Sequence, residues 1–210
     1  MQNETTWHIV PTQTPNIIRH CSKCNRKMPY YCSEKFRANA NQSRVDIWLI
    51  YKCTKCDNTW KLSLYKGVRP HELPTGLFDK FVNNDAALAW QYAFDRNFLK
   101  QHGCTVDYTN VGYTVKVTNE QGWETPVHVH VESQYSFDLK LSVLLARILD
   151  TSVGQIKRLA DMGHISASPE INIMKHRIKA NQCITVIIGL SQPTNSCQVA
   201  CYFDAKSKNV

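Results

Sequence analysis

Four cysteines with metal-ligand spacing carry the clearest chemistry in this 210-residue chain. They form two Cys-x-x-Cys pairs, Cys21 with Cys24 and Cys53 with Cys56. A Cys-x-x-Cys turn directs two sulfur atoms at one point, and two such turns supply the four thiolates of a tetrahedral structural zinc site. We therefore predict that these cysteines bind Zn2+. Four protein sulfurs close the coordination sphere, so the metal is expected to hold the fold rather than to activate water.

Two other roles of paired cysteines fit the sequence less well. A redox pair is expected at the start of a helix, where the thiol pKa falls, and neither residues 25–29 nor residues 57–60 resemble a helix start. A disulfide framework is typical of secreted chains, but residues 1–5 have neither the basic start nor the apolar run of a secretory signal. We expect reduced thiols and a cytoplasmic protein. No role is assigned to five further cysteines, Cys32, Cys104, Cys183, Cys197 and Cys201.

The residues around both pairs predict strands that meet at metal-binding turns. Residues 47–51 form a continuous apolar and aromatic run that leads into Cys53. After Cys56, the apolar residues at positions 60, 62 and 64 alternate with polar ones, as in a half-buried strand. Strand, Cys-x-x-Cys turn and strand together are typical of a zinc ribbon. We therefore predict a zinc-ribbon domain over residues 1–68.

The rest of the chain predicts helices and strands, which makes the expected fold class α+β. Residues 69–136 are expected to form a connecting segment, with a helix from Leu77 to Val82 and a second helix that Asn84 caps and Gly103 ends. Strands are predicted within residues 105–118 and 127–131. Alternation in the second of these strands places His128 and His130 on one face. A His-x-His pair can bind a metal ion, but no third ligand lies nearby in the sequence. The alternative is that both imidazoles are simply exposed on the strand.

The C-terminal segment, residues 137–210, is predicted to contain two successive short helices and a strand. Leucine and isoleucine at positions 141, 144, 145 and 148 follow the spacing of an amphipathic helix. Ser152 is a suitable N-cap for the next helix, and Gly163 fits the left-handed position after its end. A basic stretch and a strand through Ile184, Val186 and Ile188 follow.

This arrangement resembles the alpha-L RNA-binding motif, which is named for a small-subunit ribosomal protein. The likeness covers about residues 138–188 and rests on residues 139–146, the cap at Ser152, residues 155–159 and residues 163–165. In that family two short helices and the following turn clasp structured RNA. The resemblance therefore implies RNA contacts from six residues: Lys140, Lys157, Arg158, His164, Lys175 and Arg177. Val153, Ser142 and residues 180–182 depart from the family pattern.

The N-terminal part resembles a family of uncharacterised bacterial proteins with an N-terminal zinc ribbon. The matching stretches are residues 7–11, the first Cys-x-x-Cys pair, residues 35–41 and residues 46–56. This resemblance implies zinc binding and says little about activity.

The charge distribution is compatible equally with a polyanionic partner and with a charged surface that only keeps the chain in solution. The chain carries a formal charge of +8, with 11 Lys and Arg against 4 Asp and Glu in residues 1–66, and 9 against 5 in residues 137–210. Between the two cysteine pairs, Phe36 lies between Lys35 and Arg37, so its ring could stack on a base while the cations reach phosphate. It could equally be a packed aromatic of the loop.

We therefore expect a zinc-stabilised protein that binds structured RNA, such as ribosomal or transfer RNA, and is not an enzyme. The alternative is a protein-interaction module whose zinc ribbon docks a ribosomal or transcription partner. No catalytic role is predicted for any residue, because the middle segment shows no nucleophile motif, phosphate loop or paired catalytic carboxylates. The longest apolar run near the end of the chain, residues 184–190, is far too short to span a bilayer.

Overall fold

The computed structural model describes residues 3–118 and 126–189. Of the described residues, 43% are in strands and 23% in helices, arranged as two sheets with few helices. The fold is therefore mostly β, and the predicted α+β class is wrong. The chain divides into two compact units: unit 1 comprises Met1–Val10 with Tyr113–Val210, and unit 2 comprises Pro11–Gly112. These boundaries lie near residues 11 and 112, whereas the sequence analysis placed them near residues 68 and 136.

Strands and helices are numbered here in chain order over the described residues. The strands are β1 (Asn3–Pro11), β2 (Asn16–Cys21), β3 (Arg26–Asn41), β4 (Arg44–Cys53), β5 (Thr59–Val68), β6 (Thr105–Asp107), β7 (Tyr113–Thr118), β8 (Val127–Ser133), β9 (Ile165–Ser168) and β10 (Ile184–Ile188). The helices are α1 (Leu77–Val82), α2 (Ala86–Phe94), α3 (Arg96–Gln101), α4 (Leu141–Ile148) and α5 (Val153–Asp161). A short 3-10 turn, Pro70–Glu72, precedes α1.

Unit 2 is a five-stranded antiparallel sheet with helices on one face. The strand order is β5-β4-β3-β2-β6. Along β4, buried residues alternate with half-buried ones, which is the pattern of a strand with one covered face. The buried side chains of this strand include Ile47, Leu49 and Tyr51, which share two core clusters with residues of α1, α2 and α3. The apolar alternation of β4 thus positions the sheet against the helices.

The helices of unit 2 differ in detail from the prediction. Asp85, not Asn84, caps α2, because its carboxylate accepts a hydrogen bond from the backbone N–H of Leu88 at 2.7 Å. The predicted second helix ends at Asp95, which caps α3 through the N–H of Phe98. Asn84 adopts a left-handed φ of 54° and accepts a hydrogen bond from the N–H of Phe36 instead.

Unit 1 builds its sheet from segments that lie far apart in the chain. The strand order is β7-β1-β8-β10-β9, with β1 and β8 parallel and β10 antiparallel to both of its neighbours. One face of the central strands is buried and includes Trp7, Val129 and Val186. The predicted helices are confirmed as α4 and α5: Ser152 caps α5 by accepting a hydrogen bond from the Gln155 N–H, and Gly163 has a φ of 77°.

Two predicted domains are not present as such. The cysteine-bearing hairpins do not form a separate N-terminal zinc ribbon, since β1 belongs to the sheet of unit 1 and the hairpins belong to a five-stranded sheet that extends to β6. The C-terminal segment is not an alpha-L unit. Its strands β9 and β10 extend the sheet of unit 1, because the apolar residues Ile184, Val186 and Ile188 of β10 are buried beside β8.

None of the helices in the described ranges is both long and apolar enough to cross a membrane.

Candidate metal centre

The two Cys-x-x-Cys turns lie at the same end of the sheet of unit 2. Cys21 is the last residue of β2 and pairs with Arg26, so the first turn closes the β2–β3 hairpin. Cys53 is the last residue of β4, and the second turn closes the β4–β5 hairpin, where Lys52 pairs with Thr59. The central pairing of β3 with β4 places Tyr30 opposite Cys53. The strand register thus brings two turns that are about 30 residues apart in the sequence to one place.

Each turn has the same backbone device after its second cysteine. Asn25 and Asp57 both adopt left-handed conformations, with φ of 50° and 54°. Asn and Asp tolerate this region better than other non-glycine residues. The second turn closes with hydrogen bonds from the Cys53 N–H to the Asn58 carbonyl and from the Asp57 N–H to the Cys53 carbonyl. Both turns therefore curl tightly enough to direct two sulfurs inward.

The four sulfurs form a group with the dimensions of a tetrathiolate site. All four Sγ atoms lie within 4.8 Å of one another. Cys21 Sγ lies 3.5 Å from Cys56 Sγ, and Cys24 Sγ lies 4.0 Å from Cys53 Sγ. A tetrahedral ion with metal–sulfur bonds of about 2.3 Å needs sulfurs about 3.8 Å apart. The predicted clustering of these four cysteines is confirmed, and the donor set fits a metal ion.

The electrostatics of the cluster also favour a cation. A hydrogen bond from the Tyr30 hydroxyl lowers the pKa of Cys21 to about 6, whereas a hydrogen bond with Cys56 raises the pKa of Cys24 to about 12. Four thiolates this close also repel one another unless a positive charge lies between them. A divalent metal ion would remove that conflict by pairing with all four thiolates.

A second layer of residues supports the sulfurs, and the cysteine spacing gives no signal for it. The Tyr30 side chain is buried, and its hydroxyl bonds to Cys21. Asn58 Nδ2 lies 3.5 Å from the Tyr30 hydroxyl and 3.3 Å from Ser22 Oγ, so one amide links both turns. The Thr54 N–H donates to the Pro29 carbonyl at 3.0 Å, which ties the second turn to β3. Only the register of β3 reveals these partners.

The remaining cysteines lie outside this cluster. Cys32 and Cys104 are buried in the core of unit 2, and burial raises the pKa of Cys32 to about 12. Cys183 is exposed in unit 1. Cys197 and Cys201 lie outside the described residues.

The His128 and His130 pair lies, as predicted, on one face of β8. His130 Nδ1 is 3.0 Å from Thr185 Oγ1 and 3.8 Å from Cys183 Sγ, and its Nε2 is 3.8 Å from a carboxylate oxygen of Glu4. Among the described residues, however, the four cysteines are the one group of three or more His, Cys, Asp or Glu side chains spaced to hold a metal ion. The histidines are polar members of a sheet face.

The residues predicted to contact RNA are spread over both units. In unit 2, Lys35 and Arg37 are exposed on β3. The ring of Phe36 between them packs edge-on against Phe81, with centroids 5.0 Å apart, and against Tyr92. Phe36 is therefore a packed aromatic, and its ring has partners within the unit.

In unit 1, the predicted contacts fall on three separate elements. Lys157 and Arg158 are exposed on α5, and His164 follows that helix half-buried. Lys140 and Arg177 face each other in an isolated bridge, and Arg177 forms an ion pair with Asp138. Lys175 is exposed nearby in the chain.

The protein is thus mostly β and consists of two units. One unit carries a candidate metal centre of four cysteines at the end of its sheet. Residues 38–171 match a family model described as protein of unknown function (DUF1062). The matched range covers more than half of the chain and includes Cys53 and Cys56. The chain belongs to this family. Neither the curated proteins nor the solved structures gave a match.

Proposed function

We propose that this chain is a zinc protein that binds RNA and does not catalyse a reaction on it. The observation that carries the proposal is the concentration of cations around the cysteine turns. Residues 19–28 and 52–59 contain six Lys and Arg, namely Arg19, Lys23, Arg26, Lys27, Lys52 and Lys55, against one acid, Asp57.

Zinc is the metal that best fits the centre. Sulfur ligands at tetrahedral spacing suit zinc, and four protein ligands leave the ion no open position for a substrate or water. Cys21 and Cys53 are fully buried, so these two side chains are out of contact with water. Metal analysis of the purified chain should find about one zinc per chain. A reddish protein that contains iron instead would contradict this assignment.

The charge of the metal end supports a polyanion as partner. Four thiolates and a zinc ion carry a net charge of about −2, so the six cations still dominate the local charge. Lys23 and Lys55 occupy the two turns themselves and are exposed. Cations grouped on one end of a sheet attract phosphates over a distance of about one Debye length, and RNA offers a dense row of them.

A salt titration with a transfer RNA tests the proposal. We expect binding whose logarithm falls linearly with the logarithm of salt concentration, by roughly 0.7 to 0.9 per phosphate contact. Replacing both turn cations, with Lys23→Gln and Lys55→Gln, should make that slope shallower by about 1.4 to 1.8. Metal content should stay the same in this variant.

A matched control removes two exposed lysines from the helices of unit 2. Lys80→Gln in α1 and Lys100→Gln in α3 change the net charge equally. This control should leave the slope close to that of the parent chain. Absence of binding at low salt would contradict the proposal, and so would equal slopes for the two double variants.

A further inference from the structure

The sheet of unit 2 has a face that α1, α2 and α3 do not cover. Directly paired residues of antiparallel strands point to the same face. The pairs Cys32–Tyr51 and Phe36–Leu49 lie on the helix side, because their side chains belong to the core clusters. The alternate residues therefore lie on the other side, which we call the open face. Its members on the four longer strands include Ile18 and His20 on β2, Lys27, Pro29, Tyr31 and Arg37 on β3, Asp46, Trp48, Ile50 and Lys52 on β4, and Lys61 and Ser63 on β5.

Two aromatic rings on the open face have cations beside them. Trp48 is half-buried, and Arg37 is its direct partner on β3. The ammonium group of Lys61 on β5 lies 5.4 Å from the centroid of the Trp48 ring. Tyr31 is 38% exposed and lies directly across from Lys52. Each ring thus combines a π surface with a neighbouring positive charge.

The net charge of the open face is positive. Four Lys and Arg lie among the residues named above, namely Lys27, Arg37, Lys52 and Lys61. The acid among them is Asp46, whose carboxylate accepts a hydrogen bond from the Gly67 N–H at 2.7 Å. The Tyr31 hydroxyl donates to Asp57 at 3.0 Å, which fixes the direction of that ring. Aromatic rings set between cations match a ligand that has both bases and phosphates.

We propose that the open face binds a single-stranded segment of RNA, with bases stacked on Trp48 and Tyr31 and phosphates on the neighbouring cations. This inference rests on the proposed RNA-binding function and specifies its surface and the form of the RNA. A base can stack on a protein ring only when it is unpaired, so a duplex is the wrong ligand. Tyr31 pairs with Lys52, which lies four residues from Trp48 along β4. The two rings are therefore about 13 Å apart along the strands. The two rings therefore take bases that are not neighbours.

The test is binding of a labelled single-stranded RNA of about ten nucleotides and of the duplex of the same sequence, measured by fluorescence anisotropy. Stacking on one ring contributes about 1 to 3 kcal/mol, which corresponds to a factor of about 5 to 150 in affinity. Trp48→Leu and Tyr31→Leu should each weaken single-strand binding within that range. Lys61→Gln should also make the salt slope shallower by about 0.7. The control Lys80→Gln, on the helix side, should change neither quantity.

A second measurement remains decisive if Trp48→Leu disturbs the fold. Stacking of a base quenches indole fluorescence, so the parent chain should lose emission when the single strand is added. Trp48→Phe keeps an aromatic ring in place, and most of the quenching should disappear in this variant. Quenching equal to that of the parent chain would overturn the inference.

The outcomes separate this inference from the proposed function. If no RNA binds at low salt, both fail. If transfer RNA binds but Trp48→Leu and Tyr31→Leu have no effect, the open-face surface is wrong and the proposed function stands. Preference for the duplex overturns the single-strand part, and tighter binding of single-stranded DNA overturns the choice of RNA. Displacement of the labelled RNA by an acidic protein at a much lower concentration than by unlabelled RNA would overturn the inference in favour of a protein partner.

Discussion

The two sheets of this protein have five strands each but are assembled in opposite ways. In unit 2, strands β2 to β5 follow one another in the chain and pair with their neighbours, and the β2–β3 and β4–β5 turns carry the four clustered cysteines. In unit 1, β1 pairs with β8, so that Trp7 lies beside Val131. Closing a long loop costs more conformational entropy than closing a short one, although the cost grows slowly with length.

The difference shows where each unit obtains its stability. Unit 1 relies on a buried apolar face, with Trp7, Val129 and Val186 each no more than 1% exposed. Unit 2 also has an apolar core, and in addition the four sulfurs meet at the ends of its β2–β3 and β4–β5 hairpins. A metal ion at that cluster would stabilise unit 2 through bonds that are absent from the unfolded chain. The two units should therefore respond differently to metal removal.

The largest expected effect is that of losing the metal. We expect a strong zinc chelator, or the substitution Cys53→Ser, to abolish hydrogen-exchange protection in strands β2 to β5 and to leave β8 and β10 protected. Structural zinc sites contribute an apparent 10 to 16 kcal/mol, roughly, which equals or exceeds the stability of a typical domain. Exchange measured by mass spectrometry reads both units in one sample.

Cys183→Ser is the matched control for that experiment. It removes an exposed cysteine of unit 1 that lies outside the cluster. Zinc content and exchange should stay as in the parent chain. Equal loss of protection in both units on chelation would show that the comparison is wrong.

The next effect in size concerns the two apolar cores. Leu49 in β4 and Leu144 in α4 are both fully buried, so Leu49→Ala and Leu144→Ala should each cost about 2 to 5 kcal/mol. In the zinc-bound chain, unit 1 of the Leu144→Ala variant should unfold at a lower urea concentration than unit 2 of the Leu49→Ala variant. The reason is that the metal would stabilise unit 2 alone. Site-resolved exchange at increasing urea would check this, and the reverse order would count against a stabilising metal.

A smaller effect follows from the buried thiol of Cys32. Burial raises its pKa from 9.0 to about 12, so the folded chain keeps the proton in a range where the unfolded chain releases it. The protonated thiol makes its full contribution to the free energy of unfolding below pH 9. That contribution falls by about 1.4 kcal/mol per pH unit as the pH rises from 9 towards 12. Urea unfolding between pH 8.5 and 10.5 should show this loss, and the Cys32→Ala variant should lose less stability over the same range. Parallel curves would contradict it.

The smallest expected effects are those of the helix caps. Asp85 caps α2 in unit 2, and Ser152 caps α5 in unit 1, each through a side-chain oxygen that accepts a backbone N–H. Asp85→Ala and Ser152→Ala should each destabilise their own unit by about 1 kcal/mol. Site-resolved exchange at increasing urea, measured on the zinc-bound chain, should show Asp85→Ala weakening unit 2 and Ser152→Ala weakening unit 1. A loss of stability in the other unit would contradict the division of the chain into two units.

Local features of the fold could be predicted because their causes lie within a few residues. The alternation of β4 requires only neighbouring residues, and so do the cap at Ser152 and the left-handed glycine at position 163. The break between α2 and α3 at Asp95 was missed, because apolar residues on both sides continue the helical spacing while the aspartate competes for the backbone.

Long-range pairing could not be predicted from the same patterns. The sequence of β1 fits an edge of a zinc ribbon as well as the centre of another sheet, and only its pairing with β8 decides between them. The likeness of residues 138–188 to an alpha-L unit failed for the same reason. A strand with one apolar face needs a partner sheet, and the partner of β10 starts more than fifty residues earlier in the chain.

The sequence by itself determined the four cysteines of the candidate metal centre, since Cys-x-x-Cys spacing is a local property of a turn. Only the tertiary structure decided that both turns meet at one end of a five-stranded sheet, that Tyr30 and Asn58 support the sulfurs, and that Trp48 and Tyr31, rather than Phe36, place aromatic rings on the open face. Which face of a strand a residue occupies depends on register, and register is set by packing against distant residues.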